Sequence, residues 1–224
     1  MNIKEKYNSI LEELDQFDEL KVSRENKKLV PNETTAFIIW NLPAVFTCPY
    51  RTALCENACY AIKAELQYPD CLPARQRNFN DSMRDNFVNR MIKTISRIAK
   101  GTRKKEIIVR IHESGDFYNR AYVNKWLQII AFFAFDKRIK FIAYSKSFVF
   151  FDGLNLPKNF FFRASIWADT KPEQLEIVRR NHWKIYTAVD KFRKGDKFTR
   201  CRCKNCATCK KCWQSYQDIR CEIH

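Results

Sequence analysis

Nine of the ten cysteines in this 224-residue chain fall into two groups, and their spacing points to metal chemistry. Cys48, Cys55 and Cys59 form the first group. Cys201, Cys203, Cys206, Cys209, Cys212 and Cys221 form the second, and Cys71 stands alone. Thiolates two residues apart can turn toward one ion, and two Cys-x-x-Cys pairs are enough for a structural zinc site. The run Cys203, Cys206, Cys209, Cys212 repeats the two-residue gap three times, a spacing that iron–sulfur ligand runs use. An iron–sulfur cluster of the 4Fe-4S type is therefore expected in the tail, with zinc as the alternative. Cys201 is a further donor there, so which four thiols bind stays open, and Cys221 is a spare ligand or nothing. The first group sits among Pro49, Tyr50, Arg51, Glu56 and Asn57. That is a polar loop rather than a core strand, so metal ligation is expected at Cys48, Cys55 and Cys59, iron–sulfur ahead of zinc. Cys71 reads as a plain buried thiol.

The remaining chemistry-bearing residues carry weaker signals. His112 and His182 read as strand residues, and histidines on strands are more often hydrogen-bonded structural groups than ligands. Asp116 reads equally as the cap of the helix that follows it and as a cofactor contact. Lys146, between Ser145 and Ser147, suits an anion or plain solvent. No Ser–His–Asp or Cys–His nucleophile pattern stands out. The four glycines form no phosphate-cradling loop, which argues against an NTPase or a dinucleotide dehydrogenase.

Composition narrows the setting. The first twenty residues are charged and read as an amphipathic helix, with Ile10, Leu11, Leu14 and Phe17 at helical spacing, rather than as a secretory leader. No apolar run approaches the ~18 residues that a membrane span needs. A cytoplasmic protein is expected, with reduced thiols, so ten cysteines argue for metal rather than disulfides. The net charge is +16, and half of it lies between Lys191 and Lys211, where nine Lys and Arg face one acid, Asp196. Such a segment attracts polyanions, and nucleic acid is the partner it suggests. The same cations would also offset thiolate charge. Oligomeric state leaves no trace in the sequence.

The elements that position these residues alternate. Short apolar runs at Phe37–Leu42, Ile107–Ile111, Lys140–Tyr144, Phe160–Ile166 and His182–Val189 read as strands. Helices are expected from Asn80 or Asp81 to about Ala99, over Asn119–Phe135, and over Glu173–Arg180 after Pro172. Alternation of this kind gives a parallel sheet with right-handed crossovers. Functional groups then gather beyond the carboxyl ends of the strands. Cys48 follows the first strand, His112 to Asp116 the second, Ser145 to Ser147 the third, Ser165, Trp167 and Asp169 the fourth, and Thr187 and Asp190 the fifth. Every ligand-capable cluster falls at one end. The expected fold is α/β, an open partial (β/α) barrel whose mostly parallel sheet has about five to six strands. Residues 1–30 would be a helical segment, 31–190 the barrel, and 191–224 a basic, cysteine-rich, metal-binding tail.

Several segments together resemble the phage "gene product 88" family. They are Asn41-Leu42-Pro43-Ala44, Thr47-Cys48-Pro49, Cys55-x-x-x-Cys59-Tyr60-Ala61, Ser114-Gly115-Asp116-Phe117, Ala143-Tyr144-Ser145-Lys146-Ser147 and Cys206-x-x-Cys209-x-x-Cys212-Trp213. The resemblance runs from about Phe37 to Trp213 and implies a protein carried by a phage or mobile element. A more distant similarity is to radical S-adenosylmethionine enzymes. In that fold three cysteines after the first strand hold a four-iron cluster with one iron open to the sulfonium cofactor, and a Gly-rich acidic turn after the second strand holds the cofactor's amino group. Cys48, Cys55 and Cys59 stand at the first place, with gaps of six and three residues where three and two are typical. Ser114, Gly115 and Asp116 stand at the second, with Lys146 one strand further on. The resemblance thus implies one or two clusters, S-adenosylmethionine as a cofactor, and an enzyme. The readings that compete with it are a non-catalytic zinc or iron–sulfur module that binds nucleic acid, and an electron-transfer protein.

Overall fold

The computed structural model describes residues 9, 12–189, 198–201, 204–215 and 217–222. Thr35–Trp40 forms β1, and the cysteine segment after it folds into three helices: α1 (Ala53–Asn57), α2 (Tyr60–Gln67) and α3 (Cys71–Met83). Then come α4 (Phe87–Lys100), β2 (Glu106–Ile111), α5 (Arg120–Phe132), β3 (Ile139–Ser145), β4 (Phe160–Ile166), α6 (Pro172–Arg180) and β5 (Lys184–Val189). The tail adds β6 (Thr199–Cys201), α7 (Cys206–Cys209), α8 (Lys211–Gln214) and β7 (Ile219–Glu222).

All strands run parallel in the order β1-β2-β3-β4-β5-β7-β6, and the sheet curls into an open half-barrel. This is the expected architecture with seven strands instead of five or six. The two extra strands come from the tail, whose three- and four-residue segments lack the apolar run that marks the others.

Successive strand residues point to opposite faces, and the sequence uses both. Ile38, Trp40, Val109, Ile111, Phe141 and Phe162 face the main core, where α4 contributes Phe87, Met91 and Ile95 and α5 contributes Tyr122, Trp126 and Ile130. Their neighbours Phe37, Ile39, Ile108 and Ile142 line the other face, which the tail covers with Ala207, Trp213, Cys206 and Cys212. The tail is thus packed into the half-barrel.

Several expectations need correction. The helix expected from Asn80 or Asp81 is two helices broken at Arg84–Asn86. Asp81 lies inside the first, and its carboxylate accepts from Arg90 at 2.6 Å, which clamps α3 to α4 instead of capping a helix. Neither histidine lies on a strand. His112 follows β2 and His182 precedes β5, with φ of 59° and 53°, and left-handed backbone of this kind belongs to turns. Asn119, not Asp116, caps α5, accepting from the Tyr122 N–H at 2.8 Å. Cys71 is half-buried at the start of α3 rather than buried. Of the expected N-terminal helix, Ile10 and Leu11 lie outside the described residues, and Leu14–Gln16 is one 3₁₀ turn with Leu14 buried. No helix among the described residues is long and apolar enough to cross a membrane.

Candidate metal and cofactor site

Four loops meet beyond the carboxyl ends of β1 to β4, and their hydrogen bonds explain how. Asn41, just past β1, accepts from the N–H groups of Glu113 and Ser114 at 2.8 and 3.1 Å. Ser114 Oγ donates to Leu42 O at 2.9 Å, and the Leu42 N–H donates to Ser114 O at 3.0 Å. Gly115 has φ of 78°, and a Cβ there would stand 2.5 Å from Thr47 Oγ1 and 2.6 Å from Leu42 Cβ. Only glycine lets the two loops approach this closely. Thr47 in turn donates to Pro43 O at 2.7 Å, and the Cys48 N–H donates to Val45 O at 3.0 Å. Cys48 is therefore set by a chain of contacts that starts in the loop after β2.

Asp116 carries the chain onward. It is buried, and its carboxylate accepts four bonds: from Ser145 Oγ at 2.6 Å, and from the N–H groups of Phe117 at 2.8 Å, Lys146 at 2.8 Å and Ser147 at 3.1 Å. Burial raises its pKa, and these donors, with the Lys146 charge, oppose the rise. Every strong acceptor position on Asp116 is thus used inside the protein, as is the Ser114 hydroxyl. Both residues brace the loops around the site. Lys146 is the group that reaches into it. Its ammonium donates to Ser165 Oγ at 3.0 Å, stands 5.3 Å from the centre of the Trp167 ring, and lies against the Cys55 thiol. The loop after β4 closes the ring, because Asp169 accepts from the Leu54 N–H at 2.9 Å.

The three thiols sit on this frame. Cys48 is on the loop, Cys55 in α1, and Cys59 directly before α2. Thr52 caps α1 by accepting from the Cys55 N–H at 3.3 Å. All three thiols are half-buried and free of disulfides. Burial pushes Cys48 up to about 12, and the charges of Asp116, Cys55 and Cys59 push the same way. Burial also raises Cys55, while Lys146 opposes the rise by charge and by a hydrogen bond. Burial, ahead of the neighbouring charges, keeps Cys48 and Cys55 in the thiol form. Cysteine sulfurs are suitable donors to a metal or cluster once they lose their protons, but among the described residues no group of three or more His, Cys, Asp or Glu side chains is placed to hold a metal ion. Beside the group lies a cavity of about 690 Å³, lined among others by Tyr50, Arg51, Thr52, Asp169, Lys171 and Glu173.

The second cysteine group lies on the inner face. Asn205 caps α7, accepting from the Ala207 N–H at 2.8 Å, and the Cys206 N–H donates to Lys28 O at 2.9 Å. Lys210, at φ of 54°, turns the chain from α7 into α8 and places Cys212. Burial raises Cys206 to about 11, followed by the charges of Cys212 and Cys209, and Arg110 opposes. Cys201 is raised first by its hydrogen bond with Cys221, its register partner across β6 and β7, then by burial. Cys212 acts on Cys201 as well and hydrogen-bonds Tyr144. Cys203 and Asp190 lie outside the described residues.

The sequence reading missed two groups that organise this face. Arg163 of β4 is buried and donates to Cys212 O at 3.2 Å, Gln217 O at 2.9 Å and Ser215 O at 2.8 Å, which fixes the tail backbone. Arg110 of β2 is 9% exposed and stacks 4.0 Å over the Tyr144 ring. A charged residue inside an apolar strand run was the available signal for both. Part of the basic charge is internal, since Lys210 and Lys140 both donate to Glu106, at 2.5 and 2.6 Å.

The sequence profile of the family described as gene product 88 matches residues 20–215. The Gene 88 protein of Mycobacterium phage D29 is 26% identical over 139 residues, which is 60% of this chain and 56% of that protein. The chain thus spans a little over half the length of this curated relative. No solved structure matches. The profile match reaches from ahead of β1 to the end of α8, so it covers the cysteines from Cys48 to Cys212 and the sheet core between them, and stops short of β7 and Cys221. On that breadth the chain belongs to the gene product 88 family.

Proposed function

We propose that this chain is an iron–sulfur protein, and an enzyme, whose reactive 4Fe-4S cluster is held by Cys48, Cys55 and Cys59. The observation that carries the reading is the placement of these thiols. They share the loop-and-helix segment that follows β1 at the carboxyl end of a parallel half-barrel, braced by Ser114, Gly115 and Asp116 from the neighbouring loop and faced by Lys146. Three protein ligands leave one iron open to a small molecule, as in the radical S-adenosylmethionine enzymes that the loop resembles. A cluster bound there would supply electrons to a cofactor or substrate at that open position.

The chain's own contribution is binding and orientation. Lys146 offsets thiolate charge at Cys55, and Ser165 and Trp167 hold its ammonium in place. Asp116 fixes the Lys146 backbone, so the loop geometry does not depend on the occupant. The cavity between the Tyr50–Ala53 segment and the start of α6 adjoins the cysteine loop and has room for a substrate or for S-adenosylmethionine. Arg51 and Lys171 there suit a carboxylate, and Asp169 and Glu173 an amino group. The tail thiols hold a second centre, a cluster or zinc. Lys204 and Lys211 are exposed on this basic tail, which supports single-stranded nucleic acid as a partner.

Anaerobic purification, iron and sulfide counting and electron paramagnetic resonance test the proposal. Brown protein with about four irons that Cys48→Ser, Cys55→Ser and Cys59→Ser together remove is the expected result. Colourless wild-type protein that takes up no iron and sulfide on anaerobic reconstitution overturns it.

A further inference from the structure

No carboxylate among the described residues pairs with Arg110. It lies on β2 on the inner face, more than nine-tenths buried, and its Nη1 is fully buried with no hydrogen-bond partner. Among the described residues it forms no ion pair, and the nearest carboxylate on its strand, Glu106, is already bound by Lys140 and Lys210. Tyr60, His112, Tyr144 and Cys206 are among the groups that feel its charge, and none of these four is an anion while it keeps its proton. A guanidinium cannot shed its charge on burial as a lysine does. An uncompensated one in such a place is strongly unfavourable.

The covering layer supplies the answer. Ala207, Trp213, Cys206 and Cys212 of the tail pack over this face, and the Tyr144 ring on which Arg110 stacks also hydrogen-bonds Cys212. The thiols in this layer can supply negative charge once they lose their protons. We infer that Arg110 is the counter-charge of an anionic metal–thiolate centre that includes Cys206 and Cys212. Four thiolates around zinc, or around a 4Fe-4S cluster, leave a net negative centre, and the guanidinium presents both charge and N–H donors to its sulfurs. Arg110 is a positioning residue for this centre and not one of its ligands. The inference rests on the tail centre of the reading above and is independent of the cluster at Cys48, Cys55 and Cys59.

Zinc is the probe. Full-length protein is stripped of metal, reduced, reloaded with zinc and titrated with a competing chelator. This is done for wild type, Arg110→Gln, Arg110→Lys, and the pair Cys206→Ser and Cys212→Ser. Wild type should hold a zinc ion that the double serine variant loses. Arg110→Gln should weaken that zinc about 10- to 100-fold, the usual effect of removing an outer partner of a metal site, and Arg110→Lys should restore most of the affinity. Equal affinity in Arg110→Gln and wild type overturns the inference and leaves a tail centre standing. Equal loss in Arg110→Lys and Arg110→Gln also overturns it, because packing and not charge would then be at work. If Arg110→Gln does not fold, Arg110→Lys decides alone, since affinity within about 3-fold of wild type is required of it. Wild type that binds no zinc or iron through Cys206 and Cys212 removes the tail centre itself and the inference with it.

Discussion

Asp116 accepts the backbone N–H of Lys146 at 2.8 Å, and this bond joins the loop after β2 to the loop after β3. The same carboxylate fixes Ser147 and Ser145, so one buried side chain holds the segment that presents the Lys146 ammonium to Cys55.

Asp116→Asn should therefore cost about 3 kcal/mol, the scale of leaving buried donors to a charged group unmatched. An amide offers one acceptor oxygen where two now take four bonds, and its NH₂ would face N–H groups. Urea denaturation measures the loss. Unchanged stability would show that the network is dispensable.

Gly115→Ala and Gly153→Ala form a matched pair. Both glycines have positive φ, 78° and 71°, so both substitutions carry about 1 kcal/mol of backbone strain. Only at Gly115 does the new methyl meet Thr47 and Leu42, whereas nothing lies within 4 Å at Gly153. Gly115→Ala should thus cost about 2 kcal/mol more, through overpacking, and should lower metal uptake by the Cys48 loop. Thermal melts and metal analysis of the two variants side by side check this. Equal effects would mean that the contact between the two loops is unimportant.

His112 gives a pH dependence. Burial, then the Arg110 charge, lowers its pKa well below 6.5. Tyr122 accepts from Trp40 Nε1 at 3.0 Å and shares a hydrogen bond with His112 Nε2 at 3.0 Å, which a neutral ring satisfies in either tautomer. The unfolded chain binds a proton near pH 6.5 and the folded one does not. Stability is therefore full above about pH 6.5 and falls as the pH drops toward the lowered folded value, by up to about 1.4 kcal/mol per pH unit. Urea midpoints at pH 7.5 and 5.5 should differ for the wild type, and His112→Gln should reduce the difference. An identical slope in His112→Gln would assign the dependence to other groups.

Arg163 should hold the tail in place. Its guanidinium bonds three carbonyls at once, which a lysine ammonium on a thinner stem does not reproduce. Arg163→Lys should make the segment around Cys212–Gln217 the first site of limited proteolysis, at a cost of about 2 kcal/mol. A digestion pattern like that of wild type would place the anchoring elsewhere.

The parallel half-barrel was legible because its first five strands are apolar runs between polar loops, and Pro172 marks the start of α6. What stayed hidden has physical reasons. β6 and β7 are too short to show periodicity and gain their place through neighbours, as the Tyr186 and Ile219 pairing illustrates. His112 looked like a strand residue because the apolar run ends only one position earlier, and no propensity reveals a left-handed φ. Asp116 and Asn119 are both good helix caps, and only the tertiary demand of the Ser145–Ser147 loop decides between them. At the candidate site, sequence spacing named the thiols and Lys146. The burial of Arg110 and Arg163 depends on the tail folding back over the sheet, which spacing does not report.

The strand order β5-β7-β6 has a consequence for synthesis. β6 leaves the ribosome before β7, yet among the described residues its one neighbour in the sheet is β7. Until β7 has emerged and docked on β5, β6 has no strand to join, and Cys201 waits without its partner Cys221. The half-barrel thus matures in two stages. The strands through β5 can assemble as the chain grows, whereas β6 joins the sheet only after β7 has docked on β5. A nascent chain arrested before β7 would leave the edge of β5 unpaired and Cys201 without its strand partner.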